Sequence, residues 1–318
     1  MFELDRENTD ASEMRMAVVS AIQDLMKIND KVIALEADLG SASGWAKIKK
    51  SNPDRFINVG IAEANMVGVA AGLSLIGFIP FIHSFAPFVS RRVFDQIFIS
   101  GAYSQNTINI YASDPGFTVA ANGGTHTTFE DIALYRTIPD ALICDAADFV
   151  QMRWIIKNFA DLKGIHFVRA NRKPIANIYK EGSEFEFGKG NILKKGHDIL
   201  LIAAGQLVSD ALNAAESLEK KGISVEVIDM FCIKPLDKDL ILKEIKDKRA
   251  IISFENHSII GGLGSAIAEV LAENACGIPL KRIGVNDRFG QVGTADFLQK
   301  EFGLTQSVVV DFALSLQN

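Results

Sequence analysis

The chain has 318 residues, 48% of them hydrophobic and 23% charged, with a formal net charge of −6. That length and apolar content suit two folded domains, and an acidic balance without a long Lys/Arg block excludes a nucleic-acid binder driven by charge. The longest apolar stretch, residues 67–82, is broken by Gly72, Ser74, Gly77 and Pro80 and falls short of the roughly 20 residues of a membrane span.

The first residues, MFELDRENTDASEMR, are polar and carry acids, unlike a signal or transit peptide. Ser12 is placed to cap a helix whose Val18, Ile22, Leu25 and Met26 share a face. VIALEAD (32–38) and FINVG (56–60) read as short strands. Residues 62–76, rich in small side chains, read as a buried helix. HSFAPFVSRR puts Phe85 and Phe88 three apart on an expected helix. TINIYAS (107–113) is a strand leading into a polar, glycine-bearing loop up to His126, and IHFVRA (165–170) closes the first half. Residues 181–198 are charged and weakly periodic, as a linker and hairpin would be. Alternation then resumes: ILLIAA, a helix over 207–221, ISVEVID, a short helix opened by Pro235, AIISFE, a helix over 261–276 and LKRIGV. Strands separated by helices imply an α/β protein of two domains, 1–183 and 184–318, each a mostly parallel sheet flanked by helices. Cys144, Cys232 and Cys276 are odd in number and lack a CxxC spacing, so they read as core thiols of a cytoplasmic protein. His166 and His197 read as surface histidines.

Ligands of open α/β sheets sit beyond the carboxyl ends of the strands. The residues there are Asp38, Glu63, His83, Ser113, the loop to His126, Arg169, Arg172 and the run Glu255 to His257. Glu63 is the one acid of VGIAEANMVGVAAGLSLIGFIPFIHSF. Its composition fits two readings: a solvated acid at a helix N-terminus, or a buried carboxyl that must keep a proton or find a donor. Phe85 and Phe88 fit core packing or a platform for a planar heterocycle. A buried acid beside stacked aromatics suits an aminopyrimidine.

That stretch resembles the pyrimidine-binding domain of transketolase-type thiamine-diphosphate enzymes. ADLGS (37–41), NGGTHTTFEDIALYRTIPDALICDAAD (122–148), FVRANRKP (167–174) and FENHSIIGGLGSAIAEVL (254–271) follow in the family's order, so the resemblance covers nearly the whole chain. It implies that Glu63 donates to N1′ of the aminopyrimidine and so promotes removal of the thiazolium C2 proton ahead of two-carbon transfer between sugar phosphates. Phe85 and Phe88 match the pyrimidine-pocket aromatics, and Asp38 and Leu39 the acid–Leu pair of that pocket. His126 matches the catalytic-loop histidine that meets substrate hydroxyls. Arg15 matches an arginine that binds the sugar phosphate; Arg169 and Arg172 are alternatives for a second. His83 is a further candidate substrate contact.

Three positions depart from the family: Ser113 replaces a histidine, Asn122 an acid, and Arg91 an aromatic. They imply a ketose donor different from, or in addition to, xylulose 5-phosphate, such as a branched or modified sugar phosphate. No GDG motif and no acid cluster with a downstream Asn is present to hold Mg²⁺ and the diphosphate. The resemblance therefore implies the C-terminal subunit of a split transketolase. An N-terminal partner would supply Mg²⁺ in an α2β2 heterotetramer, with no metal ligand on this chain. GGLGS near Gly261 reads as a helix start, and Glu255 to His257 as structural or interface residues. The competing readings are the beta subunit of a 2-oxo-acid dehydrogenase complex, deoxyxylulose-phosphate synthase, and a non-catalytic regulatory subunit.

Overall fold

The computed structural model describes residues 1–5 and 11–316. Its contacts divide the chain into two compact units: Met1–Pro115 with Leu134–Phe185, and Gly116–Ala133 with Glu186–Asn318. The segment 116–133, which the sequence reading leaves in the first domain, thus belongs by its contacts to the second unit.

In the first unit a short ribbon pairs β1 (Ala11–Glu13) with β8 (Pro174–Ala176). The main strands are β2 (Val32–Glu36), β3 (Phe56–Asn58), β4 (Ile79–Phe85), β5 (Ile108–Ser113), β6 (Leu142–Asp145) and β7 (Ile165–Ala170). All pair in parallel, in the order β6-β7-β5-β4-β2-β3. Every residue of β2, β5, β6 and β7 is buried, as expected of a parallel sheet covered on both faces. The chain leaves β2 toward β3 and leaves β4 toward β5, in opposite directions. A crevice opens where such a reversal occurs, at the carboxyl ends of β2 and β4.

The second unit has β9 (Asn191–Lys194), β10 (Ile199–Ala203), β11 (Val225–Asp229), β12 (Cys232–Lys234), β13 (Ala250–Ser258) and β14 (Leu280–Val285). Five of them form a sheet in the order β14-β13-β10-β11-β9, with β9 antiparallel at one edge. The GGLGS turn is a helix start. Both oxygens of buried Glu255 accept from the first amides of the helix Leu263–Glu273, from Leu263 N at 2.6 Å and Gly264 N at 2.8 Å. A Cβ on Gly262 would lie 2.1 Å from Glu255 Oε2, so only glycine lets that carboxylate reach the helix end.

Several local expectations are corrected. Ser12 lies in β1 and Glu13 is the N-cap of the helix Met14–Ile28, without a side-chain cap bond. Pro235 opens no helix: the next one, Lys238–Glu244, is capped by Asp237, whose side chain accepts from Leu240 N. Phe85 ends strand β4 and Phe88 sits in the turn after it, because IPFIHSF is drawn into the sheet. The helix Glu63–Leu75 is buried on one face only; Leu75 and, just past it, Ile76 are about 70% exposed. His166 is buried, bonded to Asn109 at 2.7 Å, and Cys276 is half-buried rather than a core thiol.

Candidate functional site

Glu63 opens its helix with the carboxylate turned inward, at 3% exposure. Ser84 Oγ donates to Glu63 Oε1 at 3.3 Å, and the Arg92 guanidinium reaches Oε2 at 2.8 Å. Of the two sequence readings, the buried acid is the observed one. A carboxylate in this position needs donors to offset lost hydration, and it has two. Phe85 and Phe88 meet edge to face with centroids 6.0 Å apart, and Arg92 Cζ lies 3.7 Å from the Phe88 centroid. Arg92 escaped the sequence reading, which chose Arg91. Both are exposed on the short turn Arg91–Val93.

Beyond the carboxyl end of β2, Asp38 is exposed, in the left-handed region at φ 61, and tied to Asn58 by two hydrogen bonds; Leu39 is half-buried. Glu36, which sequence reasoning passed over, is the residue that shapes this loop: its buried carboxylate accepts from the amide of Leu39. Burial pushes the Glu36 carboxyl up, against the backbone bonds that lower it. The adjacent second acid in VIALEAD was the available signal.

His83 and Ser113 come from neighbouring strands, with Nε2 to Oγ at 3.0 Å, both fully buried. Burial, aided by the Arg172 charge, pushes His83 down to about 3, so it is neutral at ordinary pH. Its ring lies 5.3 Å from Trp45 and 5.2 Å from Tyr111. His83 Nδ1, Trp45 Nε1 and Tyr111 OH are all buried without a hydrogen-bond partner among the described residues. Trp45 and Tyr111 gave no sequence signal beyond apolar character; only their gathering around His83 singles them out. Orphaned polar atoms clustered in this way suit water or a polar ligand group.

The two candidate arginines separate. Arg169 is fully buried and holds Asp145 Oδ2 through Nε at 3.0 Å and NH2 at 2.9 Å. Arg172 is partly exposed, lies with Cζ 4.8 Å from the Phe85 centroid, and pairs with the carboxylate of Asp114 at the end of β5. Arg15 is partly exposed, bonded to Glu13 and to the carbonyl of Ala42 at 3.0 Å. The first unit therefore brings together Glu63, Phe85 and Phe88 at one place, and His83 with Ser113 at another.

Asn122 and His126 belong to the second unit. Asn122 is exposed, and His126 is half-buried with Nδ1 2.9 Å from Thr125 Oγ1. Their loop is pinned within that unit: Phe117 N donates to Asn256 Oδ1 at 3.1 Å, Ser258 N to Phe129 O at 2.9 Å, and Ala133 N to His257 Nε2 at 3.4 Å. Among the described residues no group of three or more His, Cys, Asp or Glu side chains is placed to hold a metal ion, and no helix is long and apolar enough to cross a membrane.

The transketolase pyrimidine-binding domain matches residues 10–176 and the transketolase C-terminal domain residues 188–309. A 6-deoxy-6-sulfo-D-fructose transketolase subunit from Clostridium sp. (strain MSTE9) is 42% identical over 93% of this chain and 92% of its own length. One of the subunits of an apulose-4-phosphate transketolase from Actinobacillus succinogenes is 32% identical over 97% of this chain and 99% of its own length. The human transketolase, 34% identical over 93% of this chain, is covered over 47% of its length, so the chain spans about half of that protein. A solved structure described as a split gene transketolase, inactive beta4 tetramer, superposes with a TM-score of 0.86 at 37% identity, covering 96% of this chain and 99% of that one.

Proposed function

This chain belongs to the transketolase family, spanning its pyrimidine-binding and C-terminal domains, and from that premise we propose that it is the C-terminal subunit of a two-chain transketolase, divided into domains at 183/184. The observation that carries this is the buried Glu63, joined to the face of Phe88 through Arg92. Residues present fit the aminopyrimidine of thiamine diphosphate: an inward carboxyl for a ring nitrogen and an aromatic face for stacking, with the Asp38–Leu39 turn at the carboxyl end of β2 as a further wall. When bound, that cofactor supplies the carbon that carries the two-carbon unit. Glu63 shares a hydrogen with the ring, Phe85 and Phe88 exclude water around it, and Arg172 and Arg15 offer charge to the anionic end of a sugar. His126 and Asn122 meet substrate hydroxyls, while Ser113 and Arg91 reshape the donor's room. A cytoplasmic N-terminal partner contributes Mg²⁺ and the diphosphate site in an α2β2 heterotetramer. Support for chain-to-chain contact comes from the exposed face of the helix Glu63–Leu75, where Ala64, Gly68 and Gly72 are exposed near Ile61 and Leu75.

The donor is a ketose with a terminal anion, modified relative to xylulose 5-phosphate. The departures at Ser113, Asn122 and Arg91 support this, as do the sulfofructose and apulose phosphate relatives. The test is reconstitution with an N-terminal subunit and two-carbon transfer from a panel of ketose phosphates and sulfonates. Glu63→Gln is expected to lower turnover roughly 10²- to 10⁴-fold while assembly persists. Best turnover on xylulose 5-phosphate would remove the modified-donor reading. Pyruvate decarboxylation without ketol transfer would remove the transketolase reading.

A further inference from the structure

The guanidinium of Arg92 makes both contacts that an aminopyrimidine needs here. NH1 lies 2.8 Å from Glu63 Oε2, and Cζ lies 3.7 Å from the centroid of Phe88. A guanidinium is flat, conjugated and edged with N–H donors, and it stacks on aromatic faces. In those respects it imitates the heterocycle. One ring face and one carboxylate oxygen cannot serve both groups together. The pair is also lopsided: the Glu63 side chain is 3% exposed and that of Arg92 42%. The carboxylate is fixed by its helix and by Ser84, whereas the arginine has solvent on one side into which it can withdraw.

We propose that Arg92 competes with the aminopyrimidine for Glu63 and Phe88, so that the ring seats only as Arg92 swings out. The inference rests on the reading of Glu63 given above. In the Arg92-in state the buried charge of Glu63 is compensated within the chain rather than left unpaired. In the Arg92-out state the carboxyl faces a neutral ring nitrogen instead. Each molecule with Arg92 in place is withheld from binding, and apparent affinity falls by the competent fraction. If Arg92 holds the site in about nine molecules of ten, the loss is about tenfold.

The experiment titrates thiamine into this chain and into its Arg92→Ala and Arg92→Gln variants, with Kd read by ligand-observed NMR and folding by far-UV circular dichroism. Thiamine carries the aminopyrimidine without the diphosphate, so it does not call on a partner-borne metal site. Arg92→Ala is expected to bind about tenfold tighter or better, and Arg92→Gln to gain less, since its amide still reaches Glu63 without the charge. Equal Kd values across the three overturn the competition, and weaker binding by folded variants overturns it as well, because Arg92 would then be helping to hold the ring. If Arg92→Ala does not fold, Arg92→Gln decides alone by gain or no gain. Absence of thiamine binding in all three overturns the Glu63 reading itself and the inference with it.

Discussion

Arg169 and Arg172 stand three residues apart with the same charge, yet they serve different ends. Arg169 is enclosed in the sheet with Asp145, so Arg169→Ala leaves a buried carboxylate without its cation and should destabilise the fold by about 3–5 kcal/mol, read by urea unfolding. Arg172 reaches partly into solvent at the strand ends. Arg172→Ala should raise KM for an anionic sugar roughly 10- to 100-fold, the worth of a charge-assisted hydrogen bond, and, because it strips buried Asp114 of its cation, lower the unfolding midpoint as well. An unchanged KM in a folded Arg172→Ala variant would remove Arg172 from the substrate site. His83 and His166 add a pH signature. Burial lowers them to about 3 and about 4, from 6.5. Above pH 6.5 neither form is charged and they contribute nothing. As pH falls below 6.5 the unfolded chain takes up protons that the folded chain refuses, so stability drops by about 1.4 kcal/mol per unit for each histidine until the folded value is reached. Urea midpoints at pH 7 and pH 5 should therefore differ less in His83→Gln than in the parent chain.

Among the elements, the helix Glu63–Leu75 carries two tasks on two faces. Glu63, Met66, Val67, Ala70 and Ala71 face inward, while Ala64, Gly68 and Gly72 are exposed. A Cβ on Gly68 or Gly72 would meet nothing within 4 Å. Gly68→Leu should thus leave the thermal midpoint of the isolated subunit nearly unchanged, yet shift its size in light scattering toward smaller species if this face joins two copies. An unchanged mass in that variant would place the chain-to-chain contact elsewhere. The loop 116–133 is held no less firmly. Gly290 lets it close in, since a Cβ there would lie 2.4 Å from that of Thr127, and Phe129 packs edge to face on Phe302 at 5.1 Å.

For the whole molecule, this loop means that the second unit is built from two separated stretches of chain. A fragment of residues 186–318 keeps Asn256, Ser258 and Phe302 but loses Phe117 and Phe129, which bond or pack against them. It should melt well below the transition that the intact chain shows for this unit in calorimetry, and recover part of the difference when residues 116–133 are restored. An equal midpoint would show that the loop contributes little to the unit.

The sequence by itself determined the α/β alternation, the position of most strands and the family. Runs such as VIALE, IHFVRA and ILLIA are apolar at successive positions, a pattern that suits strands buried on both faces and bounded by turns. It also determined Glu63 as the residue to watch, because one acid in a long apolar run carries its own signal. Tertiary structure alone decided that this acid is buried against Arg92 and Ser84, that Arg172 rather than Arg169 reaches solvent, and that Trp45 and Tyr111 gather around His83. Those facts come from neighbours brought together across strands by crossover connections. Burial and charge pairing depend on that spatial environment, and spacing along the chain does not encode it.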